Sequence, residues 1–106
     1  MIARFGYFEG LTEKQKRAQE DNASRRFKAA LISQPGILAI YYVESSNGDR
    51  ATISIWESKQ AMEQGGIKAN AAPLRPGQRG EDIPSPSRVE VWEVLDQFVA
   101  PAAVRA

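Results

Sequence analysis

The side chains of this sequence best suited to act on a small molecule are aromatic rings, phenols and guanidinium groups. Trp56 and Trp92 each lie in a segment rich in β-branched residues, where an indole can stack on a planar ligand or simply fill a core. Tyr7, Tyr41 and Tyr42 carry phenols that could hydrogen-bond a substrate carbonyl, or reach water from an interface. We predict ligand contacts for Trp56, Trp92, Tyr7 and Tyr41, with packing as the alternative for each.

Arg4 is the charged residue of an otherwise apolar segment that runs from Ile2 to Phe8. A guanidinium that points inward needs an anionic partner, because burying an unpaired charge is costly. Glu90 and Glu93 are candidate partners within the chain, and a ligand carboxylate or enolate is the alternative. Of the two we favour the ion pair.

A further candidate region begins at Asn70 and continues into a loop rich in proline, from Pro73 to Pro86. Asn70 and Arg75 could close over an acidic or phenolic substrate, since loops of this length inside compact domains often act as lids. We favour the other interpretation, a solvated loop.

The missing residue types exclude several classes of chemistry. The chain of 106 residues contains no cysteine and no histidine. This excludes disulfides, iron–sulfur clusters, thiolate nucleophiles, the usual haem and zinc ligands, and a serine–histidine–aspartate triad. Acid–base work would fall to a carboxylate, a lysine or a tyrosine with a shifted pKa. With no metal or flavin motif present, we predict no cofactor and no metal site.

The net charge and the hydropathy of the chain argue against nucleic acid and membranes as binding partners. The formal net charge of +1 gives no strong field for nucleic acid or an anionic membrane. The longest apolar run, Ile37 to Val43, is far shorter than the roughly 20 residues of a membrane helix. Arg4 and Glu9 interrupt the apolar stretch near the start, so we expect no signal peptide and, without cysteine, a cytoplasmic location.

Hydrophobic patterning predicts elements in the order βαββαβ. A capping box from Thr12 to Gln15 starts a helix that ends near Ser33, and Ser58 caps a second helix. Strands are predicted over residues 2–8, 37–44, 50–57 and 88–96. With right-handed crossovers this order gives a ferredoxin-like α+β sandwich, a four-stranded antiparallel sheet with both helices on one face.

Two local expectations accompany this topology. The first half of the long helix, Glu13 to Asp21, is almost wholly charged or amide, so we expect it to project past the sheet into solvent. Gly65 and Gly66 should bend or interrupt the second helix, because each costs about 1 kcal/mol relative to alanine.

Neither face of the predicted sheet is polar. Grouped by parity, Ile40, Ile53 and Ile55 fall on one side, whereas Tyr41 and Trp56 fall on the other. Leaving such residues exposed would forgo many kcal/mol of burial, at about 25 cal/mol per Å². We therefore predict that a second copy covers the free face, forming a two-fold dimer with a barrel-like interior.

The step from Ile55 to Ser58, preceded by Gln34–Ile37 and the Asn47–Arg50 turn, resembles the antibiotic biosynthesis monooxygenase-like family of dimeric α+β barrels. The resemblance covers residues 1–96 and makes 97–106 a C-terminal tail. It implies a homodimer whose subunits each hold a small pocket between sheet and helices. For oxygenase members it implies a tryptophan, asparagine, tyrosine and arginine set around that pocket, and Trp56 aligns with a family tryptophan.

Some members of this family degrade haem, and the sequence departs from their pattern. Those members use a helical histidine, a tryptophan on the second helix and an asparagine on the first strand. This chain has no histidine, has Gly65 and Gly66 in its second helix, and has no asparagine on its first strand. The sequence therefore argues against haem degradation by that mechanism.

The sequence leaves three alternative functions to compare. The resemblance implies a cofactor-independent monooxygenase acting on a small aromatic or polyketide-type substrate, which would itself activate oxygen as a carbanion. The depleted set of catalytic residue types favours instead a non-catalytic homodimer that binds a small ligand or serves as an accessory subunit. An RNA-recognition motif shares the topology, but residues 50–56 lack its glycine and aromatic pair. We accordingly predict that the chain associates with a second copy of itself and with a small aromatic ligand. We predict no binding to nucleic acid or to a membrane.

Overall fold

A computed structural model describes residues 1–101 as a four-stranded antiparallel sheet with helices packed on one face. The strand order is β2-β3-β1-β4, and the strands are β1 (Ile2–Phe8), β2 (Ile37–Glu44), β3 (Arg50–Trp56) and β4 (Arg88–Glu93). The helices are α1 (Glu13–Asn22), a π-helical segment (Ala23–Phe27), α2 (Lys28–Ile32) and α3 (Lys59–Asn70), followed by a 3₁₀ turn at Gly80–Asp82. The predicted ferredoxin-like α+β fold is confirmed.

The fourth strand ends earlier than predicted, at Glu93, and residues 97–101 have no regular secondary structure. The rest of the predicted tail, residues 102–106, lies outside the described residues. The boundary at residue 96 stays a prediction.

The long helix begins at the predicted capping box. The Gln15 amide donates to Thr12 Oγ1 at 3.1 Å, and the Thr12 amide donates to Gln15 Oε1 at 2.9 Å. Helix α1, the π-helical segment and α2 then follow one another without a break. The prediction that the first half projects into solvent is wrong, because Gln19 is only 3% exposed and accepts a hydrogen bond from the Tyr42 hydroxyl of the sheet.

The second helix also differs from its prediction. Helix α3 runs without interruption through both glycines. Gly65 is buried against the Trp56 ring, which leaves no room for a side chain there. The predicted interruption is therefore wrong, and Gly65 instead permits close packing of the helix on the sheet.

Strand register decides which residues face the helices. Gly6 pairs with Thr52 and Arg4 pairs with Ser54, and paired residues share a face. An irregularity between Ile37 and Ala39 shifts β2 by one residue. Grouping the strands by sequence parity was therefore wrong for β3, because Trp56 faces the helices whereas Ile53 and Ile55 face away.

The core lies at the end of the sheet where β3 terminates. Leu31, Trp56, Met62 and Ala69 form its buried cluster. The helix-facing surface of the sheet beyond this cluster is lined by Arg4, Gly6 and Thr52, which do not fill the space beneath the helices. A cavity remains there.

Candidate functional site

A cavity of about 360 Å³ lies between the sheet and the helices. This volume is within the range of about 300–1,000 Å³ that is typical of small-molecule sites. Apolar walls come from Phe8, Phe27, Leu31, Trp56, Met62 and Ile67. Polar side chains in the lining are Arg4, Gln19, Asn22, Thr52, Ser54, Glu63 and Asn70.

Arg4 forms the charged part of the cavity floor. Among residues 1–101 its guanidinium has no hydrogen bond to a protein group and no ion pair within 4.0 Å. Burial lowers the pKa of Arg4 from its usual value, as expected for a charge that loses water without gaining a partner.

The predicted ion pair of Arg4 with Glu90 or Glu93 is therefore wrong for the described residues. Glu90 lies on the opposite face of the sheet, where it accepts a hydrogen bond of 2.7 Å from the Tyr7 hydroxyl. Arg88 lies 3.5 Å from the same carboxylate. The alternating pleat separates Glu90 from Arg4 by the thickness of the sheet, whereas Glu93, which pairs with Ile2, lies on the Arg4 face but forms no ion pair with its guanidinium.

Trp56 both packs in the core and lines the cavity. Its side chain is 1% exposed and belongs to the core, yet part of the indole lines the cavity. The indole Nε1 donates to Ser54 Oγ at 2.9 Å, which fixes the plane of the ring. The ring is thus a rigid wall.

The helical wall contributes amide groups that sequence reasoning missed. Gln19 and Asn22 line the cavity from α1. Asn22 Oδ1 accepts from Arg26 Nη1 at 3.0 Å and from Gln78 Nε2 at 3.1 Å. The signal was helical spacing, because residues 19 and 22 continue backwards the apolar stripe of Ala23 and Phe27.

Asn70 and Arg75 occupy different positions relative to the cavity. Asn70 lines it near the end of α3, and its Nδ2 donates to the Gly66 carbonyl at 3.0 Å. Arg75 is not among the lining residues, because its guanidinium binds Asp21 at 3.2 Å. The loop is tied to α1 at this point rather than being freely solvated.

Tyr7, Tyr41 and Trp92 are not brought to the cavity. All three lie on the sheet face away from the helices, and Tyr41 and Trp92 are 55% and 59% exposed. The Tyr7 ring stacks on Phe5 with centroids 6.3 Å apart, and the Arg88 guanidinium carbon lies 3.7 Å above it. The hydrogen bond to Glu90 and burial raise the pKa of Tyr7 above its usual value.

Of the set that the resemblance implies, the cavity lining includes tryptophan, asparagine and arginine, namely Trp56, Asn22 or Asn70, and Arg4. The nearest phenol on this face is Tyr42, whose hydroxyl binds Gln19 behind the lining. Burial raises the pKa of Tyr42, so this phenol is held in its neutral form.

Within residues 1–101, no group of three or more His, Cys, Asp or Glu residues is arranged to hold a metal ion. None of the helices in that range combines the length and the hydropathy that crossing a bilayer requires.

Comparison with known structures finds the same fold in several proteins of low sequence identity. ActVA-Orf6, a Streptomyces coelicolor monooxygenase in complex with nanaomycin D, is 17% identical, with a TM-score of 0.67 over 93% of this chain and 91% of that chain. A mutant of SnoaB, a cofactor-independent oxygenase from Streptomyces nogalater, is 10% identical, with a TM-score of 0.62 over 92% and 95%. MupZ from Pseudomonas fluorescens is 14% identical, with a TM-score of 0.70 over 96% of each chain. No family model and no curated protein matches the sequence.

The resemblance predicted from the sequence is confirmed at the level of the fold, which this chain shares with antibiotic biosynthesis monooxygenase-type proteins.

Proposed function

We propose that this protein binds a small planar aromatic molecule in the cavity and catalyses its oxygenation without a cofactor. The observation that carries the proposal is an aromatic-walled cavity of about 360 Å³, with the Arg4 guanidinium, unpaired within residues 1–101, in its floor. Phe27 and Trp56 supply flat apolar surface, and Met62 adds a polarizable thioether.

A substrate that activates oxygen itself supplies the chemistry that the chain lacks. We propose an aryl ketone with an acidic CH₂ group, which loses a proton to give an enolate. Glu63 is the carboxylate among the described lining residues and would accept that proton. Arg4 would stabilise the enolate oxygen through charge-assisted hydrogen bonds.

The later steps need no external reductant. The carbanion gives an electron to dioxygen, and the resulting radicals combine to form a C–O bond. The peroxide takes back the proton, and loss of water from the hydroperoxide leaves a carbonyl. Overall, CH₂ and O₂ become C=O and H₂O.

Oxygen consumption with a hydroxylated anthrone tests this proposal. The purified protein should consume one O₂ for each quinone formed, without releasing hydrogen peroxide, and Arg4→Gln should slow the reaction. Arg17→Gln is the control, since Arg17 is exposed on α1 and does not line the cavity. Absence of both binding and oxygen uptake with anthrones and phenolic quinols would rule the proposal out.

A second candidate function is ligand binding without catalysis. It is favoured by the exposure of Glu63, because an exposed carboxylate stays hydrated and is not held rigidly against a bound ligand. Tight anthrone binding with no oxygen consumption above the protein-free rate would select this function.

We also propose that the protein is a homodimer joined through the outer sheet face. Tyr41, Val43 and Trp92 are exposed on that face, and Phe5 and Ile53 lie between them. A two-fold axis would bring this surface against itself and bury aromatic area that would otherwise face water.

A further inference from the structure

The lining amides of α1 have their acceptor atoms already occupied. Asn22 Oδ1 accepts from Arg26 Nη1 at 3.0 Å and from Gln78 Nε2 at 3.1 Å. An arginine has donors only, so the atom of Asn22 that meets Arg26 must be the oxygen. Nδ2, which has no partner within residues 1–101, is left as the polar atom that Asn22 can offer a ligand.

Gln19 is arranged in the same way. Its Oε1 accepts from the Tyr42 hydroxyl. The Tyr42 hydroxyl is the donor of this bond, so its proton points toward Gln19. Gln19 is 3% exposed and lines the cavity, so Nε2 is the polar group it retains there.

The cavity floor adds further donors. Arg4 brings a guanidinium that is unpaired within the described residues. Ser54 Oγ already accepts from Trp56 Nε1, which leaves its hydroxyl proton to donate. The wall of α1 and the floor thus present N–H and O–H groups, whereas the carboxylate of Glu63 belongs to an exposed residue of α3.

We propose that Arg4, Gln19, Asn22 and Ser54 form one oxyanion subsite, which selects planar ligands carrying a delocalised negative charge over two oxygen atoms. An aromatic carboxylate and the anion of a hydroxyquinone both have this chemistry, and the enolate of an aryl ketone presents one such charged oxygen. This inference rests on the proposed function, which makes the ligand planar and aromatic. It adds that the ligand is negatively charged and that its oxygen atoms act as hydrogen-bond acceptors. A neutral ligand would leave the guanidinium partly desolvated without compensation.

Titration calorimetry with 2-naphthoate and 2-naphthamide tests the subsite, because the two probes have the same shape and differ in charge and donors. The unmodified protein should bind naphthoate at least about tenfold more tightly, the effect of one charge-assisted hydrogen bond. Asn22→Asp retains the acceptor for Arg26 and Gln78 but replaces Nδ2 by a carboxylate oxygen. It should abolish the preference while leaving naphthamide affinity within about threefold of the original, since naphthamide can still donate to the new carboxylate.

Gln60→Glu is the matched control, because it changes net charge equally on an exposed residue of α3 that does not line the cavity. Arg4→Gln is an independent second variant, should Asn22→Asp fail to fold, and it should also remove the preference; Arg17→Gln should not. An enolate probe, a hydroxynaphthoquinone above its pKa, should follow the naphthoate pattern.

Each other result counts against the subsite. Equal affinity of the unmodified protein for naphthoate and naphthamide would overturn it while leaving the cavity as an aromatic site. Equal loss in Asn22→Asp and Gln60→Glu would show a general charge effect and overturn it as well. Failure of both probes to bind would overturn the subsite, whereas the proposed function would still be decided by anthrone binding and oxygen consumption.

Discussion

Trp56 and Gly65 pack so closely that a Cβ atom added at Gly65 would lie 2.4 Å from Trp56 Cη2 and 2.5 Å from Cζ3. Real Cβ contacts are longer, so helix α3 can approach β3 only because position 65 has no side chain. The adjacent Gly66 has nothing within 4 Å of the same added atom. The two neighbouring glycines therefore have different roles.

Gly65→Ala should lower the free energy of unfolding by about 1–3 kcal/mol, because overpacking displaces the Trp56 ring. Gly66→Ala should raise it by about 0.5–1 kcal/mol through helix propensity. Denaturant melts of both variants measure the difference. Equal effects in the two variants would contradict the packing described here.

Trp56→Ala should cost about 3–5 kcal/mol of unfolding free energy, as expected for a fully packed indole. The side chain is 1% exposed and its Nε1 is satisfied by Ser54. Urea titration measures the loss. A cost near zero would mean that the ring faces an open site and contributes little to the core.

Arg26 ties the end of α3 to the long helix. Its Nη2 donates to the Asn70 carbonyl at 2.9 Å and its Nε donates to the Ala72 carbonyl at 3.1 Å. A lysine cannot span these acceptors, so Arg26→Lys should lower the free energy of unfolding by about 1–2 kcal/mol. Hydrogen exchange should also become faster at the amides of residues 71 and 72.

Arg25→Lys is the matched control for Arg26→Lys. Arg25 is exposed, and its Nε lies 3.6 Å from Asp21. Surface pairs of this kind contribute about 0–1 kcal/mol, so this variant should be nearly neutral. The same loss in both variants would indicate a general effect of replacing arginine in this helix.

The Tyr7 phenol should titrate at higher pH than a free tyrosine. The hydrogen bond to Glu90, with burial, raises its pKa above the usual 10.0. Its contribution to stability should be fully present below pH 10.0 and lost as the pH rises through the folded-state pKa.

Phenolate absorbance, recorded for the unmodified protein and for Tyr7→Phe, isolates this titration. The difference between the two curves should have its midpoint above 10.0. Glu90→Gln removes the carboxylate and should move that midpoint down. A Tyr7 titration unaffected by Glu90→Gln would show that the hydrogen bond does not set the pKa.

The proposed dimer predicts that Tyr41→Lys and Trp92→Lys shift the particle toward monomer, because a charge would be buried against its own copy. Ile32→Lys is the control, since Ile32 is 56% exposed at the end of α2 rather than on the outer sheet face. Sedimentation measures the mass. An unmodified protein that sediments at 11.7 kDa at micromolar concentration would contradict the dimer.

Local patterns in the sequence were sufficient for much of the fold. The bounds of β1 and β2, the capping box at Thr12 and the turn at Gly48 all agree with the structure. Each depends on neighbouring residues only: alternation in a strand, reciprocal hydrogen bonds at a helix start, or a positive φ of 92° at Gly48. The aromatic and guanidinium chemistry of Trp56 and Arg4 could also be identified from residue type.

The membership of the site was decided by the tertiary structure. The register of β3 turns Trp56 toward the helices, and the irregularity at the start of β2 shifts that strand by one residue. Tyr7, Tyr41 and Trp92 thus face away from the cavity. Gln19 joins it from a helix segment whose composition indicated solvent, and Asn22 joins it from just beyond that segment. Strand register and helix placement depend on contacts between residues far apart in the chain, so local periodicity reveals that a residue alternates but not which side it faces.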